Sequence, residues 1–329
     1  MRRRSLNIAT AGLAMAAPAR AQTSSAAGGW TPDRPVRLVV PFGPGTTADT
    51  FARMIAPQLG RGLGGATVVV ENRAGAGGTV GALHVTQQPP DGTALLVGVI
   101  GTHAVNPHLM RDLRYDPFRD FTPVIAYCRA RAVLAVRPQL GPRDMQEFVA
   151  LARTRSLSVA SPGTGTTGHL GHAQLTLSTG VRTVHVPYQR DSVRAVPDLL
   201  GGQVDAIFFP VPVVRPQIEA GTMLGLGITG EGRSALLPQV PSMAEGGLPQ
   251  VDVTGWWAVY GPAGLPAPVV ERVGGVLDAT LRDPETLAGL ARIGLEPMGG
   301  DAAALLAFQR REYDRWGEVV RQTGMKAEG

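Results

Sequence analysis

Val39 to Asp49 reads VVPFGPGTTAD. A short apolar run stops at Pro41, and a Gly/Pro-rich turn opens what the spacing predicts to be a helix. A strand, a tight turn and a helix start leave backbone N–H groups unpaired and directed outward, which makes a seat for an anion. The same arrangement recurs at Val159 to His169, VASPGTGTTGH. Two anion-binding turns are therefore expected, one on each of two lobes that face a shared cleft. No nucleophile, metal cage or phosphate loop of comparable strength stands elsewhere in the chain.

Residues 1–21 have the layout of a cleaved secretory signal peptide: Arg2, Arg3 and Arg4, an uncharged apolar run from Leu6 to Ala17, and Ala19-Arg20-Ala21 before Gln22. The run is shorter than the roughly 20 apolar residues of a membrane-spanning helix, and no lipobox cysteine follows, so a soluble exported protein is expected. The paired arginines are also compatible with twin-arginine export. Removing this segment takes away four arginines and no acid, so the formal charge falls from +5 to +1. The basic balance then gives no reason to expect a nucleic-acid partner. One cysteine, Cys128, excludes an internal disulfide. The remaining chain is comfortable for two domains. With 44% hydrophobic residues, 43 Gly and 27 Pro it reads as a globular α/β protein with many tight turns.

Strands are predicted at Val36 to Val40, Thr67 to Glu71 and Ala94 to Val99, with a helix carrying Phe51, Met54, Ile55 and Leu59 after the first. Alternation of this kind predicts right-handed βαβ units and a parallel sheet, with the turns Pro41 to Thr47, Asn72 to Gly78 and Gly101 to Asn106 on one edge. Phe121 to Ala126 and Val133 to Val136 read as two extended runs interrupted by Arg129 and Arg131, a first crossing between lobes. Helices at Asp144 to Arg153 and Thr166 to Leu177 and strands at Leu157 to Ala160, Thr183 to Val186 and Val204 to Phe209 form a second α/β unit. Leu224 to Thr229 would cross back, and Val253 to Gly261 would add a strand to the first lobe. The end is predicted helical at Pro268 to Leu281, Asp283 to Ile293 and Asp301 to Gln322, the last packing Leu305, Phe308, Trp316, Val319 and Val320 on the first lobe. The expected division is 22–127 with 224–329 as a discontinuous first lobe and 128–223 as the second, hinged at two crossings.

VRLVVPFGPGTTAD, VVVENRAGAGGTVGA, PPDGTALLVG, GTHAVNPHL, YDPFRDFTPV, GTGTTGHL, VHVPY, DLLGGQVD and GPAGLPAPVVERV follow one another across nearly the whole chain. Together they resemble the Bug family, the periplasmic solute receptors of tripartite tricarboxylate transporters. The resemblance implies a type II periplasmic binding-protein fold, with each lobe a mainly parallel sheet flanked by helices. It also implies a small organic acid as ligand, the membrane permease subunits as partners, a monomer, no cofactor, no metal and no catalysis. Carried over by position, it points to Phe42, Gly43, Gly45, Thr46 and Thr47 in the first turn and to Thr102 and His103 in the GTH turn. From the second lobe it points to Ser161, Gly163, Gly165, Thr166, Thr167 and His169. Asp49 is expected to brace its own turn. Neither turn contains Lys or Arg, yet a hydrogen bond to a charged group contributes about 1.5–3 kcal/mol. Four or five such contacts reach the roughly 8 kcal/mol of micromolar binding before ordering costs.

The chain departs from the family pattern in three places. Phe209 and Pro210 stand where the family usually has an aspartate and an asparagine facing the cleft, which points to an acid without an ammonium group and makes Phe209 a ligand-facing candidate. Arg190, in the altered stretch Gln189 to Arg194, and Arg131, where the family tends to have proline, are candidate specificity residues. Gly163 to Gly168 also fits G-x-G-x-x-G with Asp191 about 20 residues on, the formal fingerprint of a dinucleotide-binding oxidoreductase. A ligand sensor that signals rather than delivers would look alike in sequence. His169-x-x-His172 and His103 to His108 lack the companion acids or cysteines of a metal site. Of Trp256 and Trp257, one is expected to face the core and the other outward.

Overall fold

The computed structural model describes residues 29–188 and 191–326. The expected signal peptide and Arg190 lie outside the described residues. Elements follow in the order β1 (Val36–Val40), α1 (Thr47–Gly62), β2 (Val68–Asn72), α2 (Thr79–Thr86), β3 (Ala94–Val99), α3 (Asn106–Leu109) and β4 (Phe121–Val136). Then come α4 (Met145–Thr154), β5 (Leu157–Ser161), α5 (Thr167–Thr179), β6 (Thr183–Pro187), α6 (Ala195–Leu200), β7 (Ala206–Pro210), α7 (Val211–Glu219) and β8 (Leu224–Ile228). The chain closes with β9 (Thr254–Pro262), α8 (Ala267–Thr280), α9 (Pro284–Arg292), β10 (Glu296–Pro297) and α10 (Ala302–Thr323).

The strands run β2-β1-β3-β9-β4-β7-β5-β6, with β8 and β10 pairing β4 off this path. Two lobes share this ladder. In one, β2-β1-β3 is parallel and β9 closes it antiparallel; in the other, β6-β5-β7 is parallel and β4 closes it antiparallel. The parallel character expected from the alternation thus covers three strands per lobe, and the strands that join the lobes run against them.

Phe121 to Val136 is one 16-residue strand, not two runs. Arg129 and Arg131 do not interrupt it, because alternate side chains leave opposite faces of a strand. Both guanidiniums point away from the core to Glu296, at 3.1 and 3.2 Å, while Cys128, Ala130 and Ala132 between and beyond them are buried. One end of β4 pairs with β9 (Phe121 to Arg131) and the other with β7 and β8 (Ala132 to Val136). β8, read from the sequence as the return crossing, pairs the same end of β4 as β7 does, and Thr229 follows it. Thr229 pins this return: its hydroxyl accepts from the Ala132 N–H (2.9 Å) and donates to the Val253 carbonyl (2.6 Å), tying three segments together at the hinge.

The last helix, α10, is capped by Asp301, which accepts from the Ala304 N–H at 2.7 Å. It buries Leu305, Trp316 and Val320 against the first lobe. Its buried polar groups are satisfied: Trp256 and Trp316 both donate to Glu312, and Tyr260 donates to Gln309. Trp256 and Trp257 do leave opposite faces of β9, but both faces are covered, so both are buried.

Candidate functional site

In each lobe the first strand of the parallel unit lies between its two partners, so the strand order reverses beside it. Open α/β sheets bind ligands at such a reversal, beyond the carboxyl ends of the strands. The turns after β1 and β5 emerge there and line one cavity, and the turn after β5 meets the turn after β3. A Cβ added to Gly101 of the first lobe would lie 3.2 Å from the Gly165 carbonyl oxygen of the second, and one on Gly165 would lie 2.5 Å from Asn106 Oδ1. Glycine at both positions lets the backbones of the lobes touch.

The first turn is held by Asp49. Its carboxylate accepts from the Gly45 N–H (2.9 Å), Asn72 Nδ2 (2.9 Å) and Arg53 Nε (3.0 Å). Burial pushes the Asp49 pKa up, but the hydrogen bonds from Arg53, Gly45 and Asn72 outweigh it and hold the carboxyl below its usual range. Asn72 also donates to the Phe42 carbonyl (3.0 Å), fixing the start of the turn. Thr46 caps α1. Thr47 and Ala48, the next two residues, line the cavity, and among the described residues their N–H groups have no acceptor. This is the normal state of a helix start.

The second turn repeats the device with a different group. The Gly165 N–H donates to His169 Nδ1 at 3.2 Å, the same spacing along the chain as Gly45 to Asp49. To accept there, His169 must be neutral at Nδ1. Burial, with His185 and His172 nearby, pushes its pKa down to about 3. The Thr166 and Thr46 hydroxyls likewise bond to the carbonyls of Gly163 and Gly43, each three residues back. Thr167, at the start of α5, lines the cavity opposite α1.

The cavity between these turns encloses about 90 Å³. Of the residues singled out from the sequence, Phe42, Gly43, Gly45, Thr46, Thr47, Gly165, Thr166, Thr167 and Phe209 line it. Thr102, His103, Ser161, Gly163 and His169 do not. After β3 the chain enters a π-helical turn at Gly101–Val105 rather than an open loop, and this carries Thr102 and His103 under the sheet. His103 stacks on Tyr260 with ring centroids 3.9 Å apart, and burial pushes its pKa down to about 3. Ser161 is buried against His185 at 2.7 Å. Arg131 lies outside the cavity too, bonded to Glu296 and to the Glu231 and Gly232 carbonyls, where it ties β4 to the return segment. Gly77, Gly101, Thr164, Ser192, Val193, Pro210, Val213 and Trp257 are among the other residues of the wall. Gly77 and Gly101 open or precede motifs already visible in the sequence; Val193 and Val213 carry no local signal. His169, His172 and His185 stack in series behind the second turn. Among the described residues no group of three His, Cys, Asp or Glu is placed to hold a metal ion.

Two α/β lobes joined by a shared strand, with open helix starts facing each other across a cavity, define a periplasmic-binding-protein architecture. The sequence profile described as "Tripartite tricarboxylate transporter family receptor" matches residues 51–325. Protein BugT of Bordetella pertussis is 34% identical over 322 residues, covering 97% of this chain and 95% of its own. A Rhodopseudomonas palustris protein solved with adipate superposes with a TM-score of 0.86 at 33% identity, over 90% of this chain and 99% of that one. MatC of the same organism, solved with bound malate, gives 0.82 at 31% identity, over 88% and 99%. The chain belongs to the tripartite tricarboxylate transporter receptor family, whose members are periplasmic solute-binding receptors. No helix among the described residues is long and apolar enough to cross a membrane.

Proposed function

We propose that this chain is a periplasmic receptor that captures a small organic carboxylate between its lobes and presents it to the membrane subunits of a tripartite tricarboxylate transporter. In this reading it is exported by the segment 1–21, works as a monomer without cofactor or metal, and makes or breaks no bond in its ligand. The lobes comprise about 22–127 with the C-terminal part, and 128 onward to the hinge at Thr229. The carboxylate sits at the amides of Thr47 and Ala48 on one side and of Thr167 on the other, with the Thr47 and Thr167 hydroxyls beside it.

The observation that carries the reading is the paired construction of the two turns. In each, a side chain four residues on takes up the glycine N–H, and the helix that starts next lines the same cavity with its first residue, Thr47 or Thr167. Relatives at 33% and 31% identity were solved with adipate and malate, which are both carboxylates. Thermal-shift screening of mono-, di- and tricarboxylates tests it, since a ligand that binds only the folded state raises its stability. At least one acid is expected to raise the melting temperature in a concentration-dependent way, with the parent alcohols and amides inert. A panel in which neutral analogues stabilise the protein as well as the acids do would overturn it.

A further inference from the structure

We propose that the ligand is a monocarboxylate with an apolar body, not a dicarboxylate, and that the wall formed by Phe209, Val213 and Val193 sets this preference. The inference rests on the receptor reading and deepens it. Most of the hydroxyl side chains that line the cavity, Thr46, Thr47, Thr166 and Thr167, stand at the starts of α1 and α5. A third helix, α7, also begins on the cavity wall and would be a natural third set of donors. Proline thins it: Pro210 is its N-cap and Pro212 its second residue, and neither carries an N–H, which leaves only the Val211 and Val213 amides. Val211 between them is buried in the second-lobe core with Phe209.

The end of β7 and the start of α7 present Phe209, Pro210 and Val213 to the cavity, joined by Ser192 and by Val193, a valine left 47% exposed in the turn before α6. Among the described residues that line the cavity there is no Lys, Arg, His, Asp or Glu. One carboxylate is provided for by the two helix starts. A second, pressed against this wall, would lose its water and meet at most the Val213 amide and the Ser192 hydroxyl, with no cation among the described lining residues, which is unfavourable, whereas a hydrocarbon body there gains by leaving water. Adipate and malate, found in relatives, each carry the second carboxylate that this wall opposes.

Isothermal titration calorimetry of the purified protein with matched pairs tests this: butanoate against succinate, hexanoate against adipate, benzoate against terephthalate. In the pairs that bind, the monoacid is expected to bind at least tenfold more tightly than its diacid. Val213→Arg, at a partly exposed helix start, and Val193→Arg, at an exposed turn, each place a cation at this wall and are expected to narrow that ratio at least tenfold. Thermal denaturation of each variant confirms that it is folded. A diacid that matches or outbinds its monoacid in the wild-type protein overturns the inference and leaves the receptor reading standing. A ratio unchanged in both folded variants overturns the role given to the wall. If no acid of either kind binds, the receptor reading fails and this inference with it.

Discussion

Asp49 and His169 occupy equivalent places in the two turns, and the difference between them has consequences. Asp49 answers the Gly45 N–H with a charge that Arg53 balances, whereas His169 answers Gly165 with a neutral ring. Asp49→Ala leaves the Gly45 N–H and Asn72 Nδ2 without their acceptor, and each unsatisfied buried group costs about 1–3 kcal/mol. The variant is expected to lose that order of stability in urea denaturation and to bind its acid at least tenfold more weakly. Asp49→Asn, which keeps one acceptor oxygen, should lie between. Equal stability and affinity in Asp49→Ala would show that the turn holds its shape without this brace. The brace at Asp49 was legible from its place in an N-terminal turn. That of His169 was not, because a histidine after a glycine-rich turn reads first as a ligand-facing group, and only the geometry shows it turned back on Gly165.

At the scale of elements, the G-x-G-x-x-G of the second lobe explains itself mechanically. Gly163 and Gly165 adopt φ of 137° and 75°, in the region that favours glycine. Gly168 packs α5 onto β7: a Cβ there would lie 2.1 Å from the Phe208 carbonyl oxygen. A dinucleotide fingerprint uses glycines for the same purposes of turn, close approach and helix packing, so the pattern reports strand-to-helix geometry and not the identity of the anion. Gly168→Ala is expected to lower stability by about 1–3 kcal/mol through overpacking. It should be read as a lower urea midpoint with an unchanged slope; an unchanged midpoint would mean that α5 can lift from β7 at no cost. The strands and helices named from the sequence, β4 apart, lie within a residue or two of their observed bounds, whereas α2, α6 and α7 were not named. The continuity of β4 was not, because two arginines in an apolar run look like a break until their partner Glu296, far along the chain, is seen. Nor was the inward course of Thr102 and His103, which depends on Gly98 leaving room for the Tyr260 ring 2.5 Å from where its Cβ would be.

For the whole molecule, buried histidines make acid stability a readable property. Burial pushes the pKa of His103 and His169 down to about 3, and those of His172 and His185 to about 4. Unfolded histidine titrates near ~6.5, so below that pH the unfolded chain binds more protons than the folded one. Stability is therefore present above about 6.5 and lost as pH falls toward 4, by up to about 1.4 kcal/mol per pH unit for each histidine kept neutral. The melting temperature is expected to fall steadily between pH 6.5 and 5, above the carboxylate range, and less steeply in His103→Gln. A melting temperature flat over that interval would mean that these rings take up protons without unfolding the protein.

The central claim is that one carboxylate is shared by the helix starts of both lobes. A crystal structure of the protein with its tightest-binding acid tests it most directly. The account predicts carboxylate oxygens within about 2.7–3.2 Å of the Thr47 or Ala48 amide and of the Thr167 amide. A carboxylate held by only one lobe, or seated away from both turns, would contradict it.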